Sequence, residues 1–264
     1  GYLSKGVASG AGIYMYKVCG PINTDYGCYE SDMMAAMEYA VLGPDSSPAT
    51  GDEPPTKIMS ISIGGGNYKG ENCDDDTLAA KVNWVVSNGI TVVAAAGNEQ
   101  FFVSSPACAS GAIAVGAVDK TGLMAYFSNF GPSLDIVAPG VGIYSSVING
   151  YASWSGTSMA TPMVSGVIAL MLDADPSLTV AEIKTALYGT ADPINLDSIC
   201  YGVVKQRGRV YWIGVVDCTS DNYGAGIVDA YGAVNYVPPV CGNGIVEGTE
   251  QCDGTNLGEA TCVS

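Results

Sequence analysis

Apolar residues along the chain form two kinds of pattern, short runs and stripes with helical spacing. The run Ile90–Ala96 (ITVVAAA) is almost continuously apolar, which is typical of a strand covered on both faces of a sheet. Four other runs predict strands at Ile13–Val18, Lys57–Ile63, Ile113–Val118 and Leu134–Ala138. Helical patterns predict helices at Asp32–Leu42, Asp75–Ser87, Ser158–Leu172 and Val180–Tyr188. Strands that alternate with helices predict an α/β fold with a mainly parallel sheet.

Three segments depart from this alternation. Gly43–Pro55 has the composition of a turn-rich, solvated loop. Cys200–Cys218 encloses an apolar stretch that we interpret as a hairpin-like insertion. From Pro238 onward the composition shifts to glycine, cysteine and acidic residues without an apolar stripe. The chain is therefore predicted to contain one large domain, residues 1–237, and the start of a small cysteine-rich module, residues 238–264.

The composition narrows the classes of function. Ten Lys and Arg stand against 26 Asp and Glu, a formal net charge of −16 at pH 7. Such a surface repels phosphate, so nucleic acid and anionic membranes are poor partners. The longest apolar run, Met163–Leu172, is too short to span a bilayer. Histidine is absent, so a histidine base or a histidine-ligated metal would have to come from outside this chain, and no metal ligands are predicted within it.

Nine cysteines favour a disulfide-bonded, exported protein, since no C-x-x-C spacing is present. Local pairing predicts disulfides Cys19–Cys28 and Cys200–Cys218, and elimination adds Cys73–Cys108. Of the last three cysteines, at least one should lack a partner within this chain. They are Cys241, Cys252 and Cys262.

Candidate chemistry lies where strands end and one helix begins. Ser158 opens an apolar helix, near the positive end of its dipole, although an arbitrary serine there is more often a plain N-cap. Pro162 is expected in or near the first turn of that helix. Asn98 follows a buried strand and could donate its amide hydrogens to an oxyanion, or could simply be a turn residue. Ser60–Gly66 ends another strand with bare backbone. A phosphate cradle is conceivable there, although no G-x-x-x-x-G-K-[ST] pattern is present, and pairing with an extended peptide is the alternative.

Taken together, these segments resemble the subtilisin-like serine proteases (subtilases). The resemblance covers about residues 6–237, and its motifs occur in the order of the family. They are Gly6-Val7-Ala8, Ser62-Ile63-Gly64-Gly65, Ala95-Ala96-Gly97-Asn98, Ile113–Ala117, Phe127–Pro132, Ala138–Val141, Gly156–Pro162 and Tyr223–Ala230. A motif carries weight only in its structural context, and a whole series in order is specific. The implied fold is a three-layer, doubly wound α/β sheet.

The resemblance also implies roles for individual residues. Ser158 matches the nucleophile, and Asn98 matches the side-chain donor of the oxyanion hole, with the Ser158 N–H as the backbone donor. Ser62, Ile63 and Gly64 match the edge strand that pairs with substrate. The opposite wall of the specificity pocket is matched by Ala95, Ala96 and Gly97, with Glu99 nearby. Walls of backbone and small side chains favour a large apolar or aromatic residue before the cleaved bond.

One departure from the family pattern is serious. The family's catalytic Asp and His precede the Gly-Val-Ala motif, and Gly6 already belongs to that motif. We therefore expect the chain to be an N-terminally truncated fragment without protease activity of its own. Sedolisin-like proteases, which use Glu in place of His, are an alternative. They carry Asp where this chain has Asn98, and Met159-Ala160-Thr161 fits subtilases better.

Two functions of different classes remain at this stage. The first is a secreted serine endopeptidase acting on polypeptides, and the second is a non-catalytic peptide-binding pseudoprotease or structural module. No cofactor is needed for the chemistry, and structural calcium is left open, because Cys73–Asp76 is acidic without EF-hand spacing. The segment Cys241–Gly254 resembles repeats that follow catalytic domains in secreted bacterial proteins, which suggests attachment to the cell surface as one role.

Overall fold

A central parallel sheet with helices on both faces organises the protein. The structure is a computed structural model that describes residues 5–22, 25–43, 56–66, 70–195, 197–206 and 209–237. The strands are β1 Cys19–Ile22, β2 Asp25–Cys28, β3 Ile58–Ile61, β4 Thr91–Ala95, β5 Ile113–Val118, β6 Ile136–Pro139, β7 Ile143–Val147, β8 Gly150–Trp154, β9 Cys200–Gln206 and β10 Arg209–Val216. The helices are α1 Glu30–Leu42, α2 Thr77–Ser87, α3 Thr157–Ala174, α4 Val180–Gly189, α5 Ser220–Tyr223 and α6 Ala230–Val234.

The sheet has the order β3-β4-β5-β6, with every neighbouring pair parallel. All residues of β4 and β5 are buried, as expected for strands covered on both faces. One face packs on α1 and α2 through Met37, Val82 and Val85, and the other on α3 and α4 through Val164, Ile168 and Leu187. The predicted three-layer α/β fold is therefore confirmed.

Helix α3 runs along the sheet and supplies much of the apolar core on the face opposite α1 and α2. It contacts β3, β4, β5 and β6, and Ala160, Val164, Ile168 and Met171 are buried. Within the described part of the chain it is the one helix whose length and composition would allow it to cross a membrane. Its apolar character is used in the core instead, because its buried stripe faces the sheet.

Among the described residues, three pairs of strands form hairpins outside the central sheet, namely β1–β2, β7–β8 and β9–β10. The β9–β10 hairpin confirms the predicted insertion between Cys200 and Cys218. All three predicted disulfides are present, with Cα separations of 4.1 Å for Cys19–Cys28, 5.4 Å for Cys73–Cys108 and 5.1 Å for Cys200–Cys218. Such separations are compatible with a disulfide, since they lie below about 7 Å.

The prediction of a strand at Ile13–Val18 was wrong. The segment has no strand assignment, and the side chains of Ile13 and Met15 are 82% and 86% exposed. An apolar run of this kind forms a strand only where another strand pairs with it, and no described strand pairs with Ile13–Val18. The predicted loop at residues 44–55 and the predicted module at 238–264 lie outside the described residues.

Candidate active site

Two segments that are far apart in sequence meet where β3 ends and α3 begins. The hydroxyl of Ser158 donates to the main-chain carbonyl of Ser62 at 3.1 Å. The hydroxyl of Ser62 donates in return to the carbonyl of Ser158 at 3.0 Å. Both residues are half-buried. This reciprocal pair fixes the start of the helix against the end of the strand, and it places the hydroxyl of Ser158 at the surface of a cleft.

Pro162 explains why the Ser158 carbonyl is available for that contact. In an α-helix the carbonyl of residue i accepts from the N–H of residue i+4, and proline has no N–H. The helix begins at Thr157, with Pro162 in its interior. The expectation that Pro162 lies in or near the first turn is therefore corrected to the second turn. Its missing N–H frees the Ser158 carbonyl, and the Ser62 hydroxyl takes the vacant place.

Asn98 is held by the same helix start. Its Oδ1 accepts hydrogen bonds from the main-chain N–H of Thr157 at 2.9 Å and from the Thr157 hydroxyl at 3.2 Å. An N–H group only donates, so the oxygen of the amide is the atom that faces Thr157. The N–H bonds of Asn98 are therefore the part of the side chain left for a ligand in the cleft.

The first turn of α3 offers a second donor. The first four N–H groups of a helix have no partner within it. The N–H of Thr157 is used by Asn98, and that of Met159 reaches the carbonyl of Gly156 at 3.0 Å. Between them lies the N–H of Ser158. A main-chain N–H and a side-chain amide are thus two candidate donors at the cleft that Ser158 and Asn98 both line, near the positive end of a long helix.

The cleft has a volume of about 670 Å³. Its lining is uncharged and comprises Ser62, Asn98, Ser153, Trp154, Ser155, Gly156, Ser158 and Met159. Sequence reasoning missed the contribution of β8, from which Trp154 projects with 58% of its surface exposed. The signal was present, because an Asn-Gly pair between short apolar segments predicts a hairpin. The turn consists of Ile148 and Asn149, and Gly150 begins β8.

The other predicted site residues lie close to the cleft without lining it. Ala95 and Ala96 are buried at the end of β4. Gly64 lies against the segment that carries Ser104 and Ser105: a Cβ at Gly64 would be 2.8 Å from the Ser105 carbonyl. The hydroxyl of Ser104, fully buried, donates to the carbonyl of Ala96 at 3.2 Å. Ser104 and Ser105, which the sequence analysis did not single out, therefore connect the two predicted pocket walls.

Gly97 separates the buried strand from Asn98 by a sharp turn. Its φ is +110°, in the region that favours glycine. A Cβ there would collide with the side chains of Asn129 and Glu99. The Gly97 N–H donates to the Thr157 hydroxyl at 3.2 Å. The residue type at this position is therefore dictated by the close approach of Asn129 and by the backbone conformation.

The acidic segment at Cys73–Asp76 has structural partners. Asp76 caps α2 by accepting from the N–H groups of Leu78 and Ala79, both at 3.1 Å. Asp74 accepts from the N–H of Ser110 at 2.9 Å and from Asn83 at 2.7 Å, and these bonds lower the pKa of Asp74. Among the described residues, no group of three or more His, Cys, Asp or Glu side chains is placed to hold a metal ion.

Comparison with known proteins places this arrangement in context. An extracellular protease of Xanthomonas campestris pv. campestris is 38% identical over 198 residues, which cover 70% of this chain and 32% of that protein. Subtilisin NAT of Bacillus subtilis subsp. natto is 36% identical over 203 residues, covering 75% of this chain and 48% of the relative. The chain thus spans about a third to a half of the length of these relatives.

Solved structures agree with the sequence relatives. A protease from Pseudoalteromonas arctica superposes with a TM-score of 0.62 and 29% identity, covering 79% of this chain and 59% of the other. The prenylagaramide maturation protease PagA superposes with a TM-score of 0.61 and 27% identity, covering 80% and 69% of the two chains. The profile of the subtilase family matches residues 1–234. With nearly all of its described fold inside that match, the chain belongs to the subtilase family.

Proposed function

We propose that this chain supplies the nucleophile, the oxyanion donors and the substrate-binding edge of a secreted serine endopeptidase. The observation that carries the proposal is that Asn98 is hydrogen-bonded to the start of α3, the same helix that contains Ser158. The Thr157 groups occupy Asn98 Oδ1 at 2.9 and 3.2 Å, which leaves the amide hydrogens of Asn98 to face a cleft that also contains Ser158. The similarity to an extracellular protease of Xanthomonas and the presence of disulfides support a secreted location.

In the proposed reaction, Ser158 Oγ bonds to the carbonyl carbon of the scissile peptide while its proton passes to a base. The carbonyl electron pair moves to oxygen, and the resulting oxyanion accepts hydrogen bonds from Asn98 Nδ2 and the Ser158 N–H. Collapse of this intermediate breaks the C–N bond, and the leaving amine takes the proton from the base. Water then releases the acyl group from Ser158 by the same steps.

The base must come from outside this chain if it is a histidine, because the sequence contains none. In the structure the Ser158 hydroxyl donates to the carbonyl of Ser62, and an amide carbonyl does not accept the proton itself. A serine hydroxyl is a weak nucleophile without a positioned base. We therefore expect the 264-residue chain by itself to leave peptide substrates uncleaved.

The proposed substrate is an extended polypeptide. Ser62, Ile63 and Gly64 continue from β3 without a described partner strand on that side, and would pair with the substrate main chain. A large apolar or aromatic side chain before the cleaved bond would pass between Gly64 and the Ala95–Gly97 wall. The neutral cleft with Trp154 and Met159 supports an apolar preference. The partner is a polypeptide, and attachment to a cell surface through residues 238–264 remains part of the proposal.

The test uses the complete natural protein, including whatever sequence flanks these 264 residues. Turnover of a fluorogenic peptide with Phe before the cleaved bond is measured for the wild type, Ser158→Ala and Asn98→Ala. We expect Ser158→Ala to lose nearly all turnover, and Asn98→Ala to lose about 10²–10³-fold in kcat. That range is the one established for the oxyanion donor of subtilisin and is carried over to this chain. The variant Ser145→Ala, on β7, is the control and should retain activity.

A pseudoprotease would give a different result. The complete protein would then bind the peptide without cleaving it, and Ser158→Ala would leave the binding constant unchanged. Full turnover by the Ser158→Ala protein would contradict the assignment of the nucleophile. A wild-type protein that cleaves best after acidic residues would contradict the proposed pocket while leaving the nucleophile in place.

A further inference from the structure

Asn129 does not line the cleft, but its side chain is hydrogen-bonded to the loop that carries Asn98. It is fully buried, with 0% of its surface exposed. Its Oδ1 accepts from the N–H groups of Glu99 at 2.8 Å and Phe101 at 3.1 Å. Its Nδ2 donates to the carbonyl of Ala96 at 3.0 Å and to Glu99 Oε2 at 2.8 Å. Four hydrogen bonds use the whole capacity of one amide side chain.

These contacts lie on both sides of Asn98 in the chain. The main-chain N–H of Asn129 adds a fifth bond, to the carbonyl of Gly97 at 3.0 Å. Ala96 and Gly97 precede Asn98, and Glu99 and Phe101 follow it. The loop therefore closes around one buried amide, while Asn98 itself remains exposed at its tip.

Glu99 links Asn129 to Asn98 through hydrogen bonds. The same Oε2 atom that accepts from Asn129 also accepts from the main-chain N–H of Asn98 at 2.9 Å. A carboxylate oxygen can accept two donors, and such charge-assisted bonds are stronger than neutral ones. The backbone of Asn98 is thus connected to Asn129 through Glu99, and its side chain is connected to α3 through Thr157.

We propose that Asn129 is a positioning residue for the reaction, which acts by holding the Asn98 amide in place for the oxyanion. The proposal rests on the function proposed above, since it requires Asn98 to be the oxyanion donor. An oxyanion donor must be pre-arranged at hydrogen-bond distance, because its value comes from needing no rearrangement during the reaction. Small displacements of such groups are costly in rate.

The residue type fits this role better than a general role in packing. An apolar side chain of similar volume would fill the space but would remove the acceptor that the N–H groups of Glu99 and Phe101 share. It would also remove one of the donors to the Ala96 carbonyl, which Ser104 also contacts. Aspartate would keep two acceptors but would bring a second carboxylate to the position that now donates to Glu99. Only an amide satisfies both kinds of partner at once.

The experiment is a double-mutant cycle in the complete natural protein. Asn129→Ser is made alone and together with Asn98→Ala, and kcat and KM are measured with the same Phe peptide. We expect Asn129→Ser to lower kcat about tenfold with KM changed less than about twofold. In the Asn98→Ala background the same change should lower kcat less than about twofold, because the donor it positions is gone.

Two further variants keep the test decisive. Glu99→Ala removes the exposed bridge between Asn129 and Asn98 without opening the core, and should repeat the pattern with a smaller loss. Asn83→Ser is the matched control, because Asn83 is also an amide that joins two loops, through Asp74 and Gly111, and neither partner lines the cleft. It should lower the melting temperature and leave kcat unchanged.

Each outcome bears on one of the two proposals. If Asn98→Ala lowers kcat while Asn129→Ser and Glu99→Ala leave it unchanged, the positioning role is overturned and the oxyanion role stands. If Asn129→Ser costs as much in the Asn98→Ala background as alone, it acts by another route and the proposal is again overturned. If Asn98→Ala itself has no effect, the oxyanion role fails and the positioning role fails with it.

Discussion

The Cys73–Cys108 disulfide should contribute more to stability than either of the other two. It closes a loop with a sequence separation of 35 residues, against 18 for Cys200–Cys218 and 9 for Cys19–Cys28. The chain-entropy relation gives about 3.8, 3.2 and 2.6 kcal/mol for these loops at 25 °C. Both Cys73 and Cys108 are fully buried, so replacing them with alanine also loses packing.

The loop that this disulfide closes contains α2, β4 and Asn98. Around the bond, the N–H of Cys73 donates to the Cys108 carbonyl at 3.0 Å, and the N–H of Cys108 donates to the Ser104 carbonyl at 3.0 Å. Ser104 in turn contacts Ala96. We therefore expect loss of the bond to loosen the predicted pocket walls, and to raise KM for a large apolar substrate as well as to reduce stability.

The assay is urea unfolding of the complete protein, followed by near-ultraviolet circular dichroism under non-reducing conditions. Cys73→Ala with Cys108→Ala should lower the free energy of unfolding by about 4 kcal/mol, and Cys19→Ala with Cys28→Ala by about 2.6 kcal/mol. The first pair should also raise KM, and the second should not. A larger loss from the Cys19–Cys28 pair, or equal KM values for both double variants, would refute the reasoning.

Three further changes have definite expected outcomes. Gly97→Ala should lower both stability and kcat, since a Cβ there meets Asn129 and Glu99 and the φ of +110° is unfavourable; unchanged kinetics would contradict this. Gly64→Val should reduce kcat/KM for a Phe peptide far more than for an Ala peptide, because its Cβ would already be 2.8 Å from the Ser105 carbonyl; an equal reduction for both peptides would argue against a pocket there. Burial raises the pKa of Asp135, and the Ala114 N–H and Lys184 offset this only in part. The folded protein therefore holds that proton more tightly than the unfolded chain. The stabilisation that the protonated Asp135 carboxyl provides is complete below the pKa of this group in the unfolded chain, near 3.8. It is lost as the pH rises through the higher pKa of Asp135 in the folded protein. Unfolding free energies of wild type and Asp135→Asn across this range should diverge with rising pH, and parallel curves would contradict the assignment.

The central sheet was predictable because the local sequence of its strands is sufficient to identify them. β4 and β5 are buried on both faces, and such strands need continuous apolar sequence whatever their neighbours are. The predicted bounds therefore differ from the structure by only one or two residues at Thr91–Ala95 and not at all at Ile113–Val118. The hairpin β7–β8 has alternating small, polar and aromatic residues that are largely exposed, so only the Asn149-Gly150 pair, which joins its turn to β8, carried a signal.

In the candidate site, too, the sequence identifies some residues and not others. Ser158 and Asn98 could be proposed from the sequence because each lies in a recognisable motif at the end of a regular element. Asn129, Ser104 and Trp154 could not be assigned a role, since their importance depends on neighbours that no local pattern identifies. Asn129 meets Glu99 across 30 residues, and Ser104 meets Ala96 across eight. Their roles come from the folding of two loops against each other.

Pro162 shows a further limit of sequence reasoning. From the sequence it is expected in or near the first turn of α3, because helix starts tolerate proline. The structure places it one turn further in, where it would ordinarily disrupt the helix. The cost is offset because the carbonyl that it leaves free is bound by the Ser62 hydroxyl at 3.0 Å, a contact 96 residues away in sequence.

The most direct measurement of the account is covalent labelling of the complete natural protein with a fluorophosphonate, followed by peptide mapping by mass spectrometry. An activated serine hydroxyl displaces fluoride from such reagents and bonds to phosphorus, which places the polar phosphoryl oxygen where the oxyanion would lie. The account predicts one labelled peptide, containing Ser158, with labelling abolished by Ser158→Ala and slowed strongly by Asn98→Ala. Labelling at another serine, or none in a protein that cleaves peptides, would contradict it.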